Sequence, residues 1–204
     1  MKKKLFLFLI AGLFISSETV AQFGVQGGLI GVPGEAFSTA DGLDKAGGAM
    51  GYTFGLFYNY QISDKITFQP AVNLVNKKWK DDLDGTEITE FTINYLEIPL
   101  QAVYMTGGDR GFFFGAGPSI FYGLSGKGDI TIGGSKTSFD YDFGSGEFEE
   151  NPFTIAANIM AGYSFGSLNI NLNFSQGLTN QPDSDRDQGN ENHFALRLGY
   201  KFGR

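Results

Sequence analysis

The chain has 204 residues, of which 30 are glycine, 21 phenylalanine and 9 tyrosine, with no cysteine and a formal net charge of -7. Without Cys there is neither a disulfide framework nor a thiolate metal site, and a chain with only 18% charged residues and an acidic balance lacks the clustered Lys and Arg that a nucleic-acid binder needs. An aromatic content of 15% excludes a disordered chain, and the length suits one domain or one closed barrel.

Residues 1–21 read as an address. Lys2, Lys3 and Lys4 precede eleven almost wholly apolar residues, Leu5 to Ile15, and a short polar stretch closes on the small residue Ala21. That order is a secretory signal peptide, with the cut expected after Thr19-Val20-Ala21 and Gln22 first in the mature chain. The other reading, an uncleaved anchor, is poorly served by eleven residues, which span about half a bilayer as a helix. No Cys follows the cut to carry a lipid. No later stretch reaches the roughly 18 apolar residues of a transmembrane helix. The remaining domain, residues 22–204, holds 12 basic and 21 acidic residues.

That domain alternates with period two, the mark of strands with two unlike faces. The first strand is led by Phe23, Val25 and Leu29. The second runs Tyr52, Phe54, Leu56, Tyr58, Tyr60 and Ile62 against Thr53, Gly55, Phe57, Asn59 and Gln61. The third is led by Ile66, Phe68, Val72 and Leu74, and the fourth by Leu96, Ile98, Leu100, Ala102 and Tyr104. Phe91, Ile93 and Tyr95 fall on the opposite parity to Leu96 onward, so a bulge, or Pro99, is expected to re-register this strand. Phe112, Phe114, Ala116 and Ile120 lead the fifth, and Ile155, Ala157, Ile159, Ala161 and Tyr163 the sixth. Leu168, Ile170, Leu172 and Phe174 lead the seventh against Asn169, Asn171, Asn173 and Ser175. The eighth sets Phe194, Leu196, Leu198, Tyr200 and Phe202 against His193, Ala195, Arg197, Gly199 and Lys201. Eight strands of about ten residues have the length a tilted strand needs to cross a bilayer.

The connections alternate as well. Ser63-Asp64-Lys65, Gly107 to Arg110 and Gly166-Ser167 are tight turns, while Gly31 to Ala49, Lys77 to Glu90, Ser125 to Asn151 and Thr179 to Asn192 read as long loops. These loops hold 18 of the 21 acids beyond residue 21, and Glu97 is the acid in mid-strand. Short turns at one end and long loops at the other are the plan of an outer-membrane barrel, with both termini in the periplasm.

Alternation fits two barrels, because a soluble one hides the apolar face and a membrane one exposes it. The polar face here is Asn, Ser, Thr, Gly and Gln with few charges, which suits a narrow lumen better than a water-facing wall. Tyr52, Tyr60, Phe91, Tyr104, Phe112, Tyr163, Phe165, Tyr200 and Phe202 sit near strand ends, as interface girdles do. The expected fold is therefore all-β, an eight-stranded up-and-down antiparallel transmembrane barrel. A soluble lipocalin-like carrier is the alternative.

Asn94-Tyr95-Leu96-Glu97-Ile98-Pro99-Leu100 resembles the signature of the PorT-like outer-membrane β-barrel family of Bacteroidetes. Gly177-Leu178-Thr179-Asn180 resembles that family's strand ending, and Leu198-Gly199-Tyr200-Lys201-Phe202 its closing strand. The resemblance covers residues 22–204. It implies the outer membrane and the barrel, and, through one namesake member, a link to protein secretion.

Candidate site residues are few. Glu97 and Arg197 both fall on the inward parity near mid-height, on the fourth and eighth strands, and are expected to meet across the lumen with Tyr95 and Gln101 as a polar plug; an unpaired charge there would be costly. Each being solvated separately by lumen water is the other possibility. Asp183, Asp185 and Asp187 alternate like the start of a Ca²⁺ loop, but Gln188 and Phe194 stand where the turn glycine and the bidentate glutamate belong. Asp81-Asp82-Leu83-Asp84-Gly85 is a second acidic turn. His193 is the single His, and no G-x-S-x-G context accompanies it. Gly133-Gly134 opens no helix and is no phosphate loop, and Trp79 reads as an interface aromatic. The expectation is a non-enzymatic barrel without catalytic residues, cofactor or metal. Its expected partners are outer-membrane lipid and lipopolysaccharide, the barrel assembly machinery during insertion, and an extracellular or secretion-system protein, with no nucleic acid. A membrane-embedded hydrolase would have to use His193.

Overall fold

A computed structural model of the protein describes residues 22–32, 50–83, 87–141, 143–144, 152–178 and 192–203. The expected leader at 1–21, most of the first loop and the Asp183–Asp187 loop lie outside the described residues.

Nine strands follow in chain order: β1 (Gln22–Gly31), β2 (Met50–Gln61), β3 (Ile66–Leu83), β4 (Glu87–Met105), β5 (Arg110–Ile132), β6 (Ser135–Tyr141), β7 (Phe153–Phe165), β8 (Leu168–Gly177) and β9 (His193–Phe202). All but β6 join in a ring. Each pairs antiparallel with the next, β5 pairs with β7, and β9 closes on β1 from Phe23↔Phe202 to Gly31↔Phe194. Closure leaves no free edge in the wall. The result is an eight-stranded antiparallel barrel.

Which face looks out is settled by exposure. Along β9, residues alternate buried and exposed without a break. The exposed set is Phe194, Leu196, Leu198, Tyr200 and Phe202, at 42% to 63%. The buried set includes His193, Arg197 and Lys201. A water-soluble barrel is the inverse of this, so the lipocalin-like alternative falls. Across the middle of the wall the same outward face carries Val25, Leu56, Val72, Ile159, Leu172 and Leu198. Aromatics ring both ends: Tyr52, Tyr122, Phe153, Phe174 and Phe194 at one, Tyr60, Tyr104, Phe112, Phe165, Tyr200 and Phe202 at the other. Two such girdles around an apolar band fit a bilayer and its interfaces.

The tight turns cluster at one end of the barrel, called here the turn end. Ile62–Lys65 closes with Ile62 N donating to Ile66 O at 2.9 Å, and Thr106 N donates to Phe112 O at 2.9 Å across the next turn. The opposite, loop end departs from the sequence expectation. Segments 77–90 and 125–151 read as loops, yet β3, β4 and β5 continue to 18, 19 and 23 residues. Lys77↔Ile93 to Leu83↔Glu87 pair above the wall, and β5 turns at Gly133-Gly134 into β6. The parity conflict at Tyr95 also resolves differently. The register does shift at Asn94/Tyr95, but in the pairing with β5. β4 itself keeps phase, so Ile93, Tyr95, Glu97, Gln101 and Val103 all point inward. Phe91 is half-buried on that same parity and is not part of a girdle.

Candidate functional site in the barrel lumen

The inward parity fills the barrel with side chains in three zones. The middle zone is polar. Arg197 from β9 reaches across the lumen, and its Nη2 donates to Glu97 Oε2 at 2.7 Å, with the two side chains 2% and 0% exposed. Asn73 Nδ2 donates to the same oxygen at 2.9 Å, and Gln26 Nε2 donates to Asn73 Oδ1 at 2.7 Å. The register explains the reach. Asn73 lies opposite Glu97, while Gly55 stands between Asn73 and Gln26. A Cβ on Gly55 would come within 2.3 Å of Asn73 Oδ1, so a side chain there would break the chain of amides. Glu97 Oε1 and Arg197 Nε have no protein hydrogen-bond partner among the described residues.

Gln101 and Tyr95 do not join this cluster. Gln101 Nε2 donates to Asn158 Oδ1, and Asn158 Nδ2 donates to Asn173 Oδ1 at 2.8 Å and Ser175 Oγ at 2.7 Å. Gln101 therefore belongs to a second buried amide network. Tyr95 stands in an apolar lid at the loop end, packed with Ile30, Val75, Ile93, Phe121 and Phe143. Its ring meets Phe121 and Phe143 edge-on at 6.0 Å, and Lys77 Nζ sits 4.9 Å from its centroid. The family-motif residues divide by parity: Tyr95, Glu97 and Pro99 point inward, and Leu96, Ile98 and Leu100 lie on the outer parity.

At the turn end Val103, Phe113 and Met160 pack together. Beside them a cavity of about 30 Å³ is lined by Gln69, Asn169 and Lys201, among others. Lys201 Nζ lies 4.0 Å from the exposed Asp109 carboxylate. Lys77, Lys201 and His193 are also buried on the inward parity; the last two lie on the polar face of the eighth alternating segment, whereas Lys77 reads in the sequence as the start of a loop.

His193 is fully buried, with its ring 5.6 Å from Phe121. Ser175 is its register partner on β8, yet neither ring nitrogen has a hydrogen-bond partner among the described residues. A Ser–His–acid relay requires that bond, and among the described residues it is not formed. Among the described residues no three His, Asp or Glu side chains converge as metal ligands do. Asp81 and Asp82 lie on β3, in a paired strand. Trp79 pairs with Phe91 through the backbone, and its side chain lies outside the described residues.

Comparison with known proteins places this geometry. The family model described as outer membrane protein beta-barrel domain matches residues 8–181. No curated protein matches the chain. Among solved structures, Ail, the attachment invasion locus protein of Yersinia pestis, is similar at 11% identity over 89% of this chain and 97% of that one, with a TM-score of 0.45. Neisserial surface protein A is similar at 12% identity over 89% and 95%, TM-score 0.46. OprG of Pseudomonas aeruginosa is similar at 14% identity over 91% and 98%, TM-score 0.48. With apolar side chains turned outward around a closed ring and that family model spanning most of the sequence, the chain belongs to the outer membrane protein beta-barrel domain family and is a small barrel protein of the Gram-negative outer membrane.

Proposed function

We propose that this barrel is a non-enzymatic docking platform anchored in the outer membrane, with its working surface at the loop end, and that it conducts nothing through its lumen. The observation that carries the reading is the filled interior. An ion pair spans the middle, an aromatic lid closes the loop end, and the cavity beside Lys201 measures about 30 Å³, room for about one water. Eight-stranded barrels have a bore just wide enough for side chains to fill. Reconstitution into planar lipid bilayers tests this. No unitary conductance is expected, and an ohmic open-pore current from the unmodified protein would overturn it.

The orientation follows from the same plan. β1 begins and β9 ends at the turn end, and short turns mark the periplasmic end of bacterial barrels; both support a reading in which the turn end and the termini face the periplasm and the leader is removed after Ala21. Lipopolysaccharide then surrounds the loop end, and the assembly machinery acts on the closing strand Leu198–Phe202. Protease added to intact cells is expected to cut near the β5–β6 turn. Protection of that turn in intact cells, with cleavage after lysis, would reverse the orientation.

A second reading makes the protein a PorT-like accessory barrel of a secretion system. The motif Asn94–Leu100 favours it only by its resemblance to that family; in the barrel its glutamate anchors the lumen ion pair and its proline is buried in the wall. Co-purification of secretion components with the barrel supports this role, and their absence from a cross-linked preparation removes it.

A further inference from the structure

Above the membrane wall the chain builds a small sheet of four strands. β3, β4 and β5 continue past the register shift, and β6 lies beside β5 from Gly126↔Tyr141 to Ile132↔Ser135. Among the described residues β6 pairs with β5 alone, so its other side is an open strand edge. Residues 135–140 are all exposed. Soluble proteins blunt such edges with bulges, prolines or an excess of lysine. This one has no bulge, no proline and no excess of lysine: the register is unbroken, and its single lysine, Lys136, already lies 3.1 Å from the Asp129 carboxylate of β5.

The turn decides which backbone groups face outward. Gly133 and Gly134 have φ of 56° and 86°, the two-residue turn that closes on a hydrogen-bonded pair, Ile132 and Ser135. Hydrogen-bonded and non-bonded pairs then alternate. Ser135, Thr137, Phe139 and Tyr141 direct their N–H and C=O to β5. Lys136, Ser138 and Asp140 direct theirs to the open edge. Ser138 Oγ donating to Asp129 Oδ1 at 2.5 Å agrees, because side chains approach most closely at a non-bonded pair.

The segment Ser135-Lys136-Thr137-Ser138-Phe139-Asp140-Tyr141 is complementary to itself. Laid antiparallel about Ser138, it sets Lys136 of each copy opposite Asp140 of the other. Thr137 meets Phe139, Ser135 meets Tyr141, and Ser138 meets its own counterpart. The three residues with free backbone groups are the three that face one another as hydrogen-bonded pairs, and opposite charges directly across an antiparallel pair stabilise it. We propose that β6 pairs in this register with β6 of a second copy of the chain. Residues directly opposite share a face of the sheet, so the two-fold axis relating the copies stands perpendicular to the sheet. That sheet continues the barrel wall, whose normal is radial. The rotation therefore inverts the barrel axis, and the two barrels sit in apposed membranes. The contact is homotypic and joins two surfaces.

This inference rests on the reading of the loop end as the working surface. The two fail separately, because loss of self-pairing leaves the conductance and proteolysis results unchanged. The chain has no cysteine, so Ser138→Cys introduces a single thiol at the two-fold. Hydrogen-bonded partners have Cα atoms about 5.5 Å apart, within reach of a disulfide. The folded Ser138→Cys barrel in detergent is expected to give a disulfide dimer, and Thr137→Cys little of it. Proteoliposomes of the unmodified protein are expected to cluster, read by light scattering. Asp140→Lys alone and Lys136→Asp alone each face like charge across the axis and lose clustering. Vesicles of the two variants mixed regain it, since each then presents the charge the other needs. No disulfide dimer from a heat-modifiable, folded Ser138→Cys barrel overturns the pairing and leaves the edge to be covered by a segment of its own chain or by another protein. A disulfide dimer without vesicle clustering overturns the apposed geometry. Failure of the mixed variants to recover overturns the register.

Discussion

The two carboxylate oxygens of Glu97 live in different circumstances. Oε2 accepts from both Arg197 and Asn73, while Oε1 has no protein partner among the described residues. A charge pair this deeply buried contributes little net stability, because desolvation offsets the attraction, yet removing one partner strands the other. Arg197→Leu is therefore expected to destabilise the barrel by about 3–5 kcal/mol. The double change Glu97→Gln with Arg197→Leu recovers most of that loss, because no charge remains and Gln still reaches Asn73. Unfolding midpoints of the four proteins in lipid vesicles measure the coupling, and strictly additive losses would exclude it. The parity of each strand was enough to place Glu97 and Arg197 inward. It did not reveal Asn73 and Gln26, because which side chains meet across a lumen depends on the stagger of the strands. Tyr95 shares the parity of Glu97 but packs in the apolar lid for a related reason. The inner face changes character along the barrel axis, and at the loop end the lumen is closed by apolar side chains that alternation alone does not distinguish from polar ones.

The strands that rise above the wall were the least legible elements. Segments 77–90 and 125–141 are rich in Lys, Asp and Gly, a composition shared by loops and by strands that stand in water, and so read as loops. Outside lipid both faces of a sheet can be polar, so the period-two signal fades while the pairing persists. The signal that survived is a Gly-Gly turn followed by alternation of Lys136, Ser138 and Asp140 with Thr137, Phe139 and Tyr141. Side chains lock this hairpin on both faces. Phe139 lies over Gly128 and meets Phe91 edge-on at 6.2 Å, a ring covering a glycine across the strand. On the other face Asp129 accepts from Ser138 Oγ and pairs with Lys136 at 3.1 Å. The Ser138 hydrogen bond first, then the Lys136 ammonium, hold the Asp129 carboxyl below its usual range. A depressed carboxylate stabilises the fold above its unfolded pKa, and that contribution is lost as pH falls through the folded value. Amide protection across residues 126–141, taken relative to the intrinsic exchange rate at each pH, should thus fall below about pH 4. Asp129→Asn should flatten this dependence, and an unchanged pH profile in that variant would remove Asp129 as its origin.

At the scale of the whole molecule, the composition takes on a position. Much of the phenylalanine lies outside, at girdles and on the wall, and the few charges in the wall are turned into the lumen. Legibility was highest here, because eight alternating segments leave few ways to bury every backbone group in lipid other than a closed ring. The same reasoning gives the barrel an energetic fingerprint that a soluble one lacks. Leu56 is 59% exposed midway along β2, between Tyr52 and Tyr60, and faces hydrocarbon if the wall spans the bilayer. Arginine at the midplane of such a wall costs about 2–4 kcal/mol, falling to about 0–1 at the interfaces. Leu56→Arg is therefore expected to lower stability in phospholipid vesicles by about 3 kcal/mol. Tyr60→Arg, four residues along the same outward face, should cost about 1 kcal/mol or less. Denaturant titration of the vesicle-inserted barrel reads both. In a wall that faced water the two substitutions would be alike and nearly neutral, so equal, small effects would place β2 outside the bilayer, and a steep difference locates its middle within one turn of the side-chain alternation.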